Sequence, residues 1–181
     1  MSPTDWETVR PAIKQDIAAV ESLALSAATE ISAAATSHLS VTADMTSATW
    51  NTDGTHEVFT VTGSVRLRMW IICTATLTDA ANLAAIRFGA ENDVNGFIAT
   101  TGAAGKDGVT LTAGGFWYTT TGTVVTPLAS SAIIDRLIVG GLDVGYRING
   151  EALTGGTLEF HCCWEAMNAS GSVVAGAGGS L

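Results

Sequence analysis

The chain carries little charge. Asp, Glu, Lys and Arg make up 14% of its 181 residues, against 47% hydrophobic ones. Only 8 residues are Lys or Arg while 17 are Asp or Glu, for a formal net charge of −9. Nucleic acid is held by basic side chains that displace counterions, and anionic membranes attract the same groups, so neither is an expected partner. Cysteine is scarce. An odd set of three, Cys73, Cys162 and Cys163, argues against a disulfide framework. Adjacent Cys162 and Cys163 point to opposite faces of a strand and do not bond easily to each other. No apolar run approaches the roughly 18 residues of a membrane span. The longest, Met69 to Cys73, reads as a buried strand. The opening Met1-Ser-Pro-Thr-Asp lacks a basic region followed by an apolar one, so the expectation is synthesis in a cytoplasm. Glycine is absent before Gly54, which leaves the first third of the chain free to be helical.

That first third contains Pro11 to Leu39, rich in Ala and with no interior Gly or Pro. The spacing Thr4-x-x-Glu7 fits a capping box, and Pro11 fits the first turn of a longer helix. A helix over these residues would extend about 43 Å at roughly 1.5 Å per residue. Ile13, Ile17, Val20, Ala24, Ala27, Ile31 and Ala34 follow alternating four- and three-residue steps, an a/d seam diluted by Ala. Leu23 and Leu25 add a second apolar edge. Self-association is one use of the seam, and packing on the chain's own β domain is the other. The residues expected to form the oligomer or attachment seam are Ile13, Ile17, Val20, Leu23, Ala24, Ala27 and Ile31. Thr36 to Ser40 reads as the end of the helix.

Beyond about Thr49 the pattern changes to Thr, Val and Gly in short alternating runs. Val65 to Leu77 is the clearest strand. Val65, Leu67, Met69, Ile71, Cys73, Ala75 and Leu77 take one face, and Arg66, Arg68, Trp70, Ile72, Thr74 and Thr76 the other. Further strands are expected at Val58–Gly63, Leu83–Phe88, Gly96–Thr100, Val109–Leu111, Gly115–Thr119, Ile134–Val139, Asp143–Asn149 and Thr157–Trp164. Asp53-Gly54 and Asn149-Gly150 are turn signals. Such a series with Gly-rich connections reads as a mainly β, antiparallel sandwich or jelly-roll-like domain preceded by a long N-terminal α-helix. The expected organisation is a helical arm over 1–40, a polar linker over 41–56, the β-sandwich over 57–168 and a Gly/Ala-rich tail over 169–181, mobile by composition, whose Val173 and Val174 could dock on a neighbour. The loop at 101–108, TGAAGKDG, is also expected to be flexible.

The residues that carry chemistry are few. Gly102 to Asp107 superficially resembles a phosphate loop, but that spacing needs Gly where Thr100 stands and Ser or Thr where Asp107 stands. On a strand Glu159, His161, Cys163 and Glu165 share one face, while Cys162 joins Leu158, Phe160 and Trp164 on the other. Zinc ligands usually come from separated segments with turn spacing, and no CxxC or HxxxH partner exists, so no metal is expected. Neither His38 nor His56 stands in a triad motif, and no cofactor fingerprint is present, so no catalytic residue is assigned and the chain is not expected to be an enzyme. Phe116-Trp117-Tyr118 offers either a carbohydrate platform or an ordinary packed strand.

Two stretches carry a resemblance. HEVFTVTGSVRLRMWIICTATL, His56 to Leu77, and DVGYRINGEALTGGTLEFHCCWEAMNASGSVVAG, Asp143 to Gly176, resemble segments of small virion structural proteins of tailed bacteriophages. The resemblance implies a β-rich virion module without catalytic residues, synthesised in the host cytoplasm and located in the virion. A helix followed by a β domain is a frequent layout of trimeric phage fibres and head decorations. The expectation is therefore a non-enzymatic, homotrimeric capsid decoration, cement or head-fibre protein. Its partners would be its own copies and the major capsid or other virion proteins. A tail-fibre or receptor-binding module for a host surface glycan is the alternative.

Overall fold

The computed structural model describes residues 37–106, 110–117 and 134–181, all within one compact unit spanning 36–181. The helix expected over Pro11 to Leu39, and its seam through Ile13 to Ile31, lie outside the described residues up to Thr36.

The described residues are mainly β. Ten strands form two antiparallel sheets: β1 (Ser37–Asp44), β2 (Gly54–Thr62), β3 (Val65–Asp79), β4 (Ala85–Ala90), β5 (Asp93–Gly102), β6 (Phe116–Trp117), β7 (Ile134–Ile138), β8 (Val144–Asn149), β9 (Leu153–Ala166) and β10 (Ser172–Ala175). The first sheet has the order β1-β9-β3-β6, with β7 on the same edge of β3. The second has the order β10-β2-β8-β4-β5. Strands β4 and β5 pair as a hairpin, β3 pairs with β6 and β7, β2 with β8 and β1 with β9. The partners are thus nested, as in one long antiparallel ribbon folded over on itself.

The alternation expected along β3 is realised. Val65, Leu67, Met69, Ile71, Cys73 and Leu77 are buried, and Arg66, Arg68, Thr74 and Thr76 are exposed. Opposite them Leu158, Phe160 and Cys162 of β9 are buried too. The second sheet contributes Phe59, Ile86, Phe88, Tyr146 and Ile148 to the same continuous core. Phe160 lies 5.2 Å from Tyr146, nearly parallel, and 5.5 Å from Phe88, so it joins the two layers. Ring pairs of this kind add to the stabilisation from area burial alone.

Four expectations are corrected. Ser37–Asp44 is a strand, where the helix end and the start of a linker were expected. Its polar residues His38, Ser40, Thr42 and Asp44 alternate with inward Val41 and Ala43, a period-2 pattern that a Ser/Thr-rich stretch disguises as linker. The rest of the expected linker is also structured. Ser47 caps the short helix α1 (Ala48–Asn51), and β2 already begins at Gly54. Beneath α1, Tyr146 Oη donates to the Trp50 carbonyl at 2.5 Å, and the His56 ring nitrogens stand 2.9 and 2.8 Å from the carbonyls of Thr49 and Thr52. The last carbonyls of the turn, which have no partner inside it, are covered in this way. Within 101–108, Ala103 and Ala104 are buried, and Ala104 bridges to Thr110.

The C-terminal segment departs most from expectation. Residues 172–175 form β10 on β2, with Val173 against Val61, and the Glu57 amide donates to the Gly179 carbonyl at 2.8 Å. The small side chains that suggested mobility instead let the chain lie close. A Cβ on Gly176 would stand 2.9 Å from the Val58 carbonyl carbon. Val173 is 5% exposed and Val174 56%. A charge at the buried position has no partner. Val173→Asp should therefore cost about 3 kcal/mol or more in urea unfolding, and Val174→Asp less than about 0.5 kcal/mol. Equal effects would mean that the segment is not docked.

Candidate functional site

The chemistry-bearing side chains gather on the outer face of the first sheet, the side away from the core. Strand register builds this face in rows. Ser40, His161 and Trp70 stand side by side across β1, β9 and β3. The next row is His38, Cys163, Arg68 and Asp135, and a third is Thr42, Glu159 and Ile72. The expected grouping of Glu159, His161, Cys163 and Glu165 on one face of a strand is therefore present. Two further members, His38 and Trp70, come from strands that sequence spacing alone does not connect to β9.

The rings of His38, Trp70 and His161 form a compact triangle. Centroids are 5.1 Å apart for Trp70 and His161, 5.5 Å for the two histidines and 5.9 Å for His38 and Trp70, with planes within 20° of parallel. His38 Nε2 stands 3.3 Å from His161 Nδ1. That contact plus two ring radii accounts for the 5.5 Å between centroids, so the imidazoles meet edge to edge. On the far side of His161, Nε2 is 3.6 Å from Glu159 Oε2. This is too long for a hydrogen bond, and Nε2 is a buried nitrogen without a partner. Burial lowers the His161 pKa below its ordinary value, the nearby His38 ring adds to this, and Glu159 opposes it.

A carboxylate and two imidazoles pass a proton only through hydrogen bonds, and the Glu159 contact is too long to be one. Among the described residues, no Ser, Thr or Cys side chain hydrogen-bonds either ring. No group of three or more His, Cys, Asp or Glu converges in a way that could hold a metal ion among them. The buried thiols are poor nucleophiles: burial pushes Cys162 up to about 12 and raises Cys73 as well.

Beside the rings, Asp135 of β7 accepts from Arg66 Nε at 3.0 Å and Nη2 at 2.8 Å, and from Arg68 Nε at 3.3 Å. The Arg66 hydrogen bonds hold the Asp135 carboxyl below the usual carboxylate range. All three side chains are well exposed, so the pair orders the surface more than it stabilises the fold. The cavity under them, lined by Arg66, Arg68, Cys163, Trp164 and Glu165, measures about 40 Å³, enough for water but not for an organic ligand. A groove of about 470 Å³ runs between β7 and the β4–β5 hairpin, lined by Phe97, Leu137, Val139 and Leu142 with Asp93 and Arg136 at its border.

Of the aromatic stretch expected to line a platform, Trp117 pairs with Ile71 and Phe116 with Ile72, and Tyr118 lies outside the described residues. The seam residues Ile13, Ile17, Val20, Leu23, Ala24, Ala27 and Ile31 lie outside them as well. Among the described residues, no helix is long and apolar enough to cross a membrane. Comparison with family models, with curated proteins and with solved structures finds no match to this chain.

The lowered His161 pKa gives a signed expectation. The folded state favours the neutral ring, so the unfolded chain takes up the proton first. The contribution is complete above the ordinary histidine value of 6.5 and is lost as pH falls through the lower folded value. Urea midpoints measured from about pH 7.5 to about pH 5 should fall less steeply for His161→Gln than for the wild type. Parallel curves would contradict the assignment.

Proposed function

We propose that this chain is a non-enzymatic structural protein of a tailed-bacteriophage virion. In this reading it is a homotrimeric capsid decoration, cement or head-fibre protein, with residues 1–36 serving as the attachment arm. The strand order carries it. Sheets of order β1-β9-β3-β6/β7 and β2-β8-β4-β5, with partners nested from the β4–β5 hairpin outward, correspond to a jelly roll, to which β10 is added beside β2. Jelly rolls recur in viral capsid proteins and in lectins, so this step is analogy at the level of fold. The two stretches that resemble phage virion proteins support it. They are far apart in sequence but correspond to β2–β3 and β8–β10, which pair directly as β2 with β8, β3 with β9 and β10 with β2.

The work of such a protein is to bury surface between copies without turnover. Low charge suits this role, as does an outer sheet face that carries half-buried Trp70 and Ile72 and, beyond the Arg68–Asp135 row, exposed Leu137. Association of this kind draws on apolar area with a polar rim. A second reading, recognition of a host surface glycan, draws on half-buried Trp70 on this face, since sugars pack against aromatic rings. Glycan-array binding that disappears in Trp70→Ala would favour it.

Analytical ultracentrifugation of the full chain should give a trimer at micromolar concentration. A chain lacking residues 1–36 should remain trimeric but no longer join the particle. A full-length monomer would remove the oligomer claim, and a truncated monomer would place trimerisation in the arm.

A further inference from the structure

The outer face of the second sheet holds a different anomaly. Arg147 of β8 and Arg87 of β4 stand directly opposite each other in the strand register. Like charges at opposed positions repel. Both side chains are half-buried, and the Nε of each is buried without a hydrogen-bond partner. Arg87 Nη2 has only a long contact, 3.5 Å, to Asn149 Oδ1, and among the described residues the Arg147 side chain makes no hydrogen bond or ion pair. Among the described residues, neither arginine is paired with a carboxylate, although acids outnumber bases 17 to 8 in the chain.

The neighbours explain why the charges stay bare. Gly145 and Gly89 pair on one side of the two arginines, and Asn149 and Ala85 on the other. None of these reaches across with a negative group. Glu57 is opposite Gly145, but its carboxylate is engaged by the Thr60 hydroxyl. The β4–β5 register also shifts between Ile86 and Phe88, where β5 runs from Thr101 to Ile98 against two steps of β4, so Arg87 has no single cross-strand partner on β5.

We propose that Arg87 and Arg147 form an oxyanion-binding site on the outer face of the second sheet. Arginines at directly opposed positions bring two planar forks of donors to one part of the sheet, suited to phosphate, sulfate or a carboxylate, and a bound anion would cancel their repulsion. Two sources share this chemistry: a free inorganic oxyanion, or an Asp or Glu side chain of a second copy of this chain. The site is independent of the ring cluster on the first sheet and of the virion reading.

The test uses the full-length protein, with inorganic phosphate titrated against chloride at matched ionic strength. If the anion is free in solution, phosphate raises the Tm of the wild type progressively. Phosphate affinity by calorimetry then falls by about tenfold or more in Arg87→Met and in Arg147→Met. In chloride alone both variants should be at least as stable as the wild type, because each relieves the repulsion. If the anion is a carboxylate of a neighbouring copy, phosphate instead lowers the sedimenting mass of the wild type, and each variant shows the lower mass without phosphate. Either result supports the site. A wild type whose Tm and mass ignore phosphate, or variants that respond as the wild type does, would overturn it.

Discussion

The rest of the structure depends on the register in which β3 lies against β9. The ladder runs from Val65 opposite Ala166 to Asp79 opposite Leu153 and is interrupted by irregularities only beyond Cys73. Side chains alternate along both strands, so a slip of one residue would exchange the two faces. With β9 held in place, it would bring Arg66 and Arg68 into the core and turn Leu67 and Met69 to water. The burial of those apolar groups makes one register far better than its neighbours. Phe160 extends the constraint to the second sheet through Tyr146 and Phe88. Tyr146 carries it on to α1 through the Trp50 carbonyl.

The same ladder places the polar chemistry. With the inner rows fixed, His161 must stand beside Trp70, and β1 on the other edge of β9 brings His38 within 3.3 Å of it. The ring cluster is therefore a consequence of packing on the opposite side of two strands. The Arg87–Arg147 pair arises in the same way on the second sheet, where inward Ile86, Phe88, Tyr146 and Ile148 leave the intervening arginines facing outward. In the proposed reading, the two outer faces offer a virion module two separate contact surfaces. One is aromatic and histidine-rich, and the other is cationic on an otherwise acidic chain.

Much of this was legible in the sequence where a strand has one wet and one dry face. The alternation of Val65 to Leu77 gave its inward residues, and two-residue spacing gave the shared face of Glu159, His161 and Cys163. Period alone reveals nothing about partners. His38 and His161 are 123 positions apart and meet only through the pairing of β1 with β9. Arg87 and Arg147 likewise meet only through β4 and β8. Ser37–Asp44 is not legible as a strand because its inward residues are as small as Ala43 and its outward ones resemble a linker. Nor is the C-terminal strand, because Gly and Ala suit close approach as well as they suit disorder, and composition does not separate the two.

Hydrogen exchange, resolved by residue, tests the organising role of the β3–β9 ladder most directly. Strands at the centre of a sheet open only with the whole fold, and edge strands open locally. The account predicts that the amides of Leu67 to Cys73 and of Leu158 to Cys162 exchange most slowly in the chain and with one common opening free energy. Those of β10 and β5, at the edges of the second sheet, should exchange faster. Exchange of the β3 and β9 amides ahead of either edge strand would contradict it.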